Sequence, residues 1–135
     1  MTKRKVTKKV ILTALIIAVA VAGIMLIRYQ MRVSAYRSAV DSLTYSNIDL
    51  HNIPDGVYEG SCDVDLISAT VRVTVENGVI TNIDLIKHKN ERGASAEGII
   101  PEILEQQSIN VDAVSGATNS SKVIKKAVEN ALTQR

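Results

Sequence analysis

The sequence predicts an α+β fold: a small antiparallel sheet with helices packed on it, preceded by one N-terminal transmembrane helix. Three observations carry that reading. Residues 10–27, VILTALIIAVAVAGIMLI, contain no charged side chain. Thr70-Val71-Arg72-Val73-Thr74-Val75 alternates strictly between polar and apolar, just ahead of Asn77-Gly78. Near the C-terminus Val123, Ile124, Ala127, Val128, Ala131 and Leu132 fall on one face of a helix.

The apolar run comes first. Its 18 residues span roughly 27 Å at about 1.5 Å per residue, close to the hydrocarbon thickness of a bilayer. Residues 1–9 form a basic tail with Lys3, Arg4, Lys5, Lys8 and Lys9 and no acid. Positive charge beside a first span favours the cytoplasmic side, so the tail is expected to stay in the cytoplasm and the C-terminal domain to cross the membrane. Arg28, Arg32 and Arg37 follow the span, but the five charges ahead of it outweigh them. A cleaved signal peptide is the alternative. The run is longer than a usual signal core, and Ala18-Val19-Ala20, which fits a cleavage pattern, lies mid-span. An uncleaved anchor is therefore expected.

Charge and composition exclude several classes. Residues 1–49 carry eight Lys and Arg against two acids, a net +6, whereas residues 50–135 carry eight against twelve, a net −4. The basic cluster is explained by membrane topology and the domain beyond it is acidic, which argues against nucleic-acid binding. The single cysteine, Cys62, gives neither a disulfide framework nor a metal cluster and lies too far downstream for a lipid anchor. It is expected to pack on a strand, and no metal site is predicted.

Residues 28–52 form a juxtamembrane linker in which Tyr36, Ala39, Val40 and Leu43 recur at helical spacing. Tyr29 and Tyr36 suit a membrane interface, and the stripe suits either the domain or a partner helix. Pro54-Asp55-Gly56 is turn chemistry and opens the domain, residues 53–135. Val57–Asp65 reads as a first strand and Thr70–Val75 as a second. Asn77-Gly78 gives a two-residue hairpin turn into a third strand over Val79–Ile86. Ala94–Gln107 reads as helical, interrupted or restarted at Pro101, with Ile100, Ile103 and Leu104 toward the core. Asn110–Val114 is short and extended, and Asn119–Thr133 is the last helix.

The chemistry concentrates in Asp112-Ala113-Val114-Ser115-Gly116-Ala117-Thr118, a small-residue turn with two hydroxyls directly ahead of that helix. A helix start offers free N–H groups and the positive end of a dipole, which suits a phosphate. Gly116 and Ala117 leave room for a bulky group near the backbone. Thr118 has the chemistry of a helix N-cap or of a nucleophile toward phosphorus, and the two roles are compatible. Ser115 is a turn residue or a phosphate donor, Asp112 a turn-stabilising acceptor or part of a recognition sequence. Ser120 and Ser121 are first-turn helix residues or further hydroxyls.

This run resembles the flavinylation motif of the FMN-binding domain family, Asp-x-x-Ser/Thr-Gly-Ala-Thr, and the resemblance extends from about Asp55-Gly56-Val57-Tyr58 to Leu132. It is closest in organisation to small members with a single N-terminal span. In that family the last Thr of the motif carries FMN through a phosphoester bond, which here is Thr118. The resemblance implies that Ser115, Gly116, Ala117 and Asp112 belong to the cofactor-binding loop, with Asp112 in the sequence read by the flavin transferase that loads FMN from FAD. His88-Lys89-Asn90-Glu91-Arg92-Gly93 is similar to a loop that approaches the isoalloxazine ring, and His88 and Gly93 keep the family spacing. Arg92 stands where many relatives have Pro, and the acid is displaced by one. The chain also lacks the Gly-rich turn that many relatives carry between the first two strands. Without Phe or Trp, ring stacking falls to aliphatic groups, backbone or Tyr, with Tyr58 a candidate.

The resulting expectation is a cell-membrane, single-pass, extracytoplasmic flavoprotein that shuttles electrons between a membrane redox donor and an acceptor. No nucleophile–base–orienter set marks a substrate-transforming enzyme, so a carrier is favoured over a stand-alone enzyme. The alternatives are a flavin-free, membrane-tethered interaction module and a flavin reductase with a small-molecule substrate.

Overall fold

The computed structural model describes residues 2–90 and 93–134, and it divides the chain into two compact units, Met1–Ala35 and Tyr36–Arg135. Helix α1, Thr2–Asp41, runs without a break and is long and apolar enough to cross a membrane. Its aliphatic side chains, from Val10 through Ile27, are exposed rather than packed against protein. An exposed aliphatic cylinder is costly in water and favourable in lipid, so this helix is not the core helix of a soluble domain.

The second unit is α+β, with helices flanking a three-stranded antiparallel sheet in the order β1-β2-β3. The strands are β1 (Gly56–Asp63), β2 (Ser68–Glu76) and β3 (Val79–Lys89). Asn77 and Gly78 have φ of 53° and 73°, the paired positive angles of a type I′ hairpin turn, and Glu76 faces Val79 across it. The carboxylate of Asp55 accepts from the Asn77 amide at 2.7 Å, fastening this turn to the entry of β1. β1 ends two residues earlier than the alternation suggests. Asp65 adopts a positive φ of 71° in the short connection to β2 and leaves the ladder there.

One face of the sheet is apolar. Val71, Val73 and Val75 from β2 and Ile80 and Ile83 from β3 are buried, each contributing roughly 1.5–3 kcal/mol relative to an exposed side chain. Helix α3, Thr118–Thr133, lies against β1 and β2 and closes that face with Val123, Ile124, Ala127, Val128, Ala131 and Leu132. Cys62 is half-buried on β1, and burial pushes its thiol pKa up against the opposing pull of Lys126.

Between β3 and α3 the chain makes a 3-10 turn, Ala94–Gly98, and then α2, Ile99–Gln106. The interruption falls at Gly98–Ile99 rather than at Pro101. Pro101 is the third residue of α2, still in the first turn, where no intrahelical donor is required. The fully buried residues are consequently Ile99 and Ile103, with Ile100 and Leu104 half-buried. Gln107 leaves the helix in a left-handed conformation, φ 50°, and its amide replaces a neighbouring strand. It accepts from the Ile80 amide at 2.7 Å and donates to the Ile80 carbonyl at 2.9 Å. That clamp fixes where the loop toward α3 begins. The loop itself, residues 110–114, forms no regular element.

The end of α1 and the segment after it belong to this second unit. Val40 is buried, and Tyr36, Ala39, Leu43, Tyr45, Ile48 and Leu50 pack around the same core. The stripe left open by the sequence is thus taken up by the domain itself.

Candidate functional site

The loop before α3 folds as the sequence demands. The Ala117 amide donates to the Val114 carbonyl at 3.0 Å, closing a β-turn over Val114–Ala117. Gly116 is its third residue with φ 78°, as a type II turn requires. The turn is pinned from below by Ser121, whose buried hydroxyl accepts from the Val114 amide at 3.0 Å. It is pinned from the side by Lys125, whose ammonium donates to the Val111 carbonyl at 2.7 Å and stands 4.7 Å from the centre of the Tyr45 ring. Burial pushes Lys125 below the usual lysine pKa, while the nearby carboxylate of Asp112 acts in the opposite direction. A buried cation is expensive unless it is hydrogen-bonded, so Lys125 marks the loop's geometry as fixed.

Helix α3 starts at Thr118, and Ala117, not Thr118, occupies the N-cap position without a side-chain cap bond. Thr118 is therefore the first helical residue, exposed, with a hydroxyl that caps nothing. The first bond into the helix runs from the Ser121 amide to the Ala117 carbonyl, so the amides of Thr118, Asn119 and Ser120 are left as donors at the helix mouth. No acidic side chain occupies the first turn.

These groups border an open cleft of about 360 Å³ lined by Gly116, Ala117, Thr118, Asn119, Ser120, Gly93, Ile67 and Tyr36, within the range of about 300–1,000 Å³ typical of small-molecule sites. A more enclosed cavity of about 280 Å³ lies between residues 45–48, Leu50, Ile80, residues 107–110 and Leu132. Among the described residues its lining holds none of the motif residues and no carboxylate, imidazole or cation, so the cleft beside Thr118 is the better candidate.

The predicted residues are distributed as follows. Gly93, Gly116, Ala117 and Thr118 meet in the cleft. Gly93 sits flush on Ser120, and a Cβ at that position would collide with the Ser120 side chain. Ser115 is exposed in the turn and outside the lining. Asp112 is on the other side of the loop, in a groove it shares with Gly98, Glu102 and Gln106 of the 3-10 turn and α2. The His88 side chain is buried near the end of β3. It is 3% exposed, with Nδ1 at 3.2 Å from a carboxylate oxygen of Glu97 and Nε2 buried without a partner among the described residues. Glu97, from the 3-10 turn, is thus an acid that meets His88, while Glu91 and Arg92 lie outside the described residues. Tyr58 is absent from the cleft lining and donates its hydroxyl to the Pro54 carbonyl at 2.6 Å.

Sequence reasoning missed Tyr36 as a site residue. It borders the cleft and its hydroxyl accepts from the Asn119 side-chain amide at 2.7 Å. The stripe Tyr36-Ala39-Val40-Leu43 held the signal, but nothing local says that its aromatic end meets the N-terminus of α3. Lys125 was also missed, because a lysine within an apolar helix pattern reads as solvated.

The FMN-binding domain family matches residues 66–133. This chain belongs to that family. The matched stretch begins just ahead of β2 and ends with α3, and so includes the hairpin, the Gly93 loop, the motif and the helix start. An uncharacterized protein of Treponema pallidum (strain Nichols) is 36% identical over 83 residues, 59% of this chain. The chain spans only 23% of that relative's length.

The site's own features fit FMN. The helix mouth offers three amide donors and no acid, which favours a phosphate. Ser120 lines the cleft with a buried hydroxyl oxygen that has no partner among the described residues, and a buried polar atom without a bond is a cost that a ligand can remove.

Proposed function

We propose that this chain is a membrane-anchored, extracytoplasmic electron carrier that holds FMN through a phosphoester on Thr118. The observation that carries the reading is the placement of Thr118, whose exposed hydroxyl caps no helix and lies at the mouth of a cleft ringed by backbone donors.

FMN, when bound, supplies one- and two-electron transfer, and the protein supplies binding, orientation and electrostatics. The α3 mouth would hold the phosphate, and Gly116 and Gly93 would keep the walls thin around it. Ile67 and Tyr36 offer the apolar and aromatic surface on which a ring can rest. Covalent attachment suits an extracytoplasmic location, where no FMN pool replaces a lost cofactor. The basic tail ahead of α1 supports that orientation. Asp112 is exposed and outside the cleft lining, which leaves it accessible to a flavin transferase that would read it. A membrane redox donor and a separate acceptor complete the electron path.

The test is the intact mass of the protein purified from a host with an active flavin transferase. The expected result is the mass of one FMN phosphoester, absent from Thr118→Ala. Because Thr118 caps nothing and is exposed, that variant should lie within about 0.5 kcal/mol of the wild type in stability, so loss of flavin is not loss of fold. A bare wild-type mass despite active transferase sinks the reading.

A further inference from the structure

Strand β3 carries an extra residue near its end, and the effect is to turn a histidine inward. Val71 of β2 faces Leu85 and Ala69 faces His88, so a step of two residues on β2 is matched by three on β3. Ile86 is the unpaired residue, and it is exposed. Side chains alternate along a strand, so without this bulge Lys87 would stand opposite the buried Ala69 and His88 would point to solvent. With it, the imidazole shares the inner face with Ala69, Val71 and Val73.

Inside, the ring is only half satisfied. A Glu97 carboxylate oxygen lies 3.2 Å from Nδ1, and Nε2 is buried with no partner among the described residues. A carboxylate beside Nδ1 holds the proton of the neutral ring on that nitrogen, which leaves Nε2 as an open base. Other charge around it is sparse. Ser68 and Ala69 of β2 and Thr118–Ser121 of α3 carry none, and Glu97 is the only charged residue of the 3-10 turn. Lys87 and Lys89 flank His88 on its own strand, and the Lys89 ammonium donates to the Asp65 carbonyl.

The ring reaches the cleft wall through Asn90. The Asn90 side-chain amide is 3.5 Å from Nδ1, and its Cβ is 3.8 Å from where a Cβ on Gly93 would stand. Gly93 in turn lines the cleft beside Thr118. A base buried behind that wall responds to charge arriving in the cleft. At an effective dielectric of about 20, unit charges about 10 Å apart change each other's equilibria roughly tenfold.

We propose that His88 is a redox-linked proton acceptor of the carrier, with Glu97 as its positioning residue. The proposal rests on the flavin reading above. When the cofactor accepts an electron pair from the donor, one proton goes to the cofactor and a second to His88 Nε2, both from water. The net charge of the domain is then unchanged by reduction. On oxidation the electron pair passes to the acceptor and both protons return to water. An electron pair taken up with one proton alone would leave an uncompensated negative charge in the cleft, and an imidazolium held by Glu97 offsets it.

The test uses the full-length chain in nonionic detergent, loaded in a host with active flavin transferase and checked by intact mass. Midpoint potentials are measured from about pH 5 to about pH 8, where imidazole titrates, in the wild type, His88→Asn and Glu97→Gln. The first variant keeps a donor near the place of Nδ1 and removes Nε2; the second removes the charge from a side chain that is 54% exposed. Over part of this range the wild-type potential should fall about 30 mV more per pH unit than that of His88→Asn, the tenfold step of a two-electron couple. Glu97→Gln should move that steeper segment toward lower pH, because the imidazolium has lost its carboxylate. Within the segment, at fixed pH, the imidazole nitrogen resonances of His88 should move toward their protonated values on reduction.

Parallel potential curves in the wild type and His88→Asn overturn the proposal and leave the flavin reading standing, as do imidazole resonances that ignore reduction. If His88→Asn does not fold, Glu97→Gln decides, and a steeper segment that stays in place overturns the proposal. A bare mass despite active transferase removes the flavin reading, and this proposal with it.

Discussion

Gly116 and Asp112 lie four residues apart on one loop, yet they are constrained for unrelated reasons. A Cβ added to Gly116 meets nothing within 4 Å, so crowding inside this chain is not what demands glycine. The demand is the φ of 78°. Gly116→Ala should cost about 1–2 kcal/mol in urea unfolding from that angle alone. Gly116→Asn should recover part of the loss, since Asn tolerates the left-handed region. Equal losses in the two variants would show that turn strain is not the cause. Asp112, by contrast, is exposed, makes no side-chain hydrogen bond among the described residues, and faces the groove beside α2. Asp112→Ala is therefore expected to fold normally and to be flavinylated slowly by the transferase, with an ordinary flavin spectrum once loaded. A variant loaded at the wild-type rate with a shifted spectrum would place Asp112 in the flavin pocket instead.

Helix α3 joins the site to the rest of the domain through buried polar groups on its inner side. Glu129, 3% exposed, accepts from the Ser46 amide at 2.8 Å and from the Lys126 ammonium at 2.7 Å. Burial on its own would raise its carboxyl pKa; the Lys126 bond and then the Ser46 amide outweigh burial and hold it below the ordinary value of 4.5. The unfolded chain then binds the proton more readily, so this stability is fully present above pH 4.5 and is lost as pH falls through the lower folded value. Glu129→Gln keeps the acceptor but not the charge, and should flatten the fall in urea midpoint between pH 7 and pH 4. Parallel falls in the two proteins would remove Glu129 as the cause. These bonds also mark where reading from sequence stops. The hairpin, the apolar face of α3 and the turn before it were legible because each is a local pattern: Asn-Gly, a 3.6-residue period, a Gly between small residues. The Lys125–Val111 tether, the Gln107 clamp on Ile80 and the Tyr36–Asn119 contact join residues 14, 27 and 83 positions apart. No local pattern announces them. The N-cap was misplaced by one residue for a similar reason. Thr is a preferred cap, and only the turn closed by Ala117 and Val114 shifts the helix start to Thr118.

At the scale of the whole molecule, the question is which side of the membrane the domain occupies. The charge distribution is lopsided, +6 over residues 1–49 and −4 over residues 50–135. A basic segment ahead of a first span is retained on the cytoplasmic side, so the proposed orientation places Tyr36–Arg135 outside. The single cysteine makes a direct test possible. Cys62 is half-buried on β1, so Cys62→Ala removes the background thiol, and Thr133→Cys places a new one at an exposed position at the end of α3. A membrane-impermeant maleimide added to intact cells should label Thr133→Cys fully, and a cysteine introduced into the tail at Lys8 should be labelled only after the membrane is opened. The opposite pattern would turn the domain inward, where cytoplasmic FAD and FMN are plentiful. The argument that covalent attachment protects against cofactor loss would then lose its basis, and the donor and acceptor sides of the proposed electron path would exchange places.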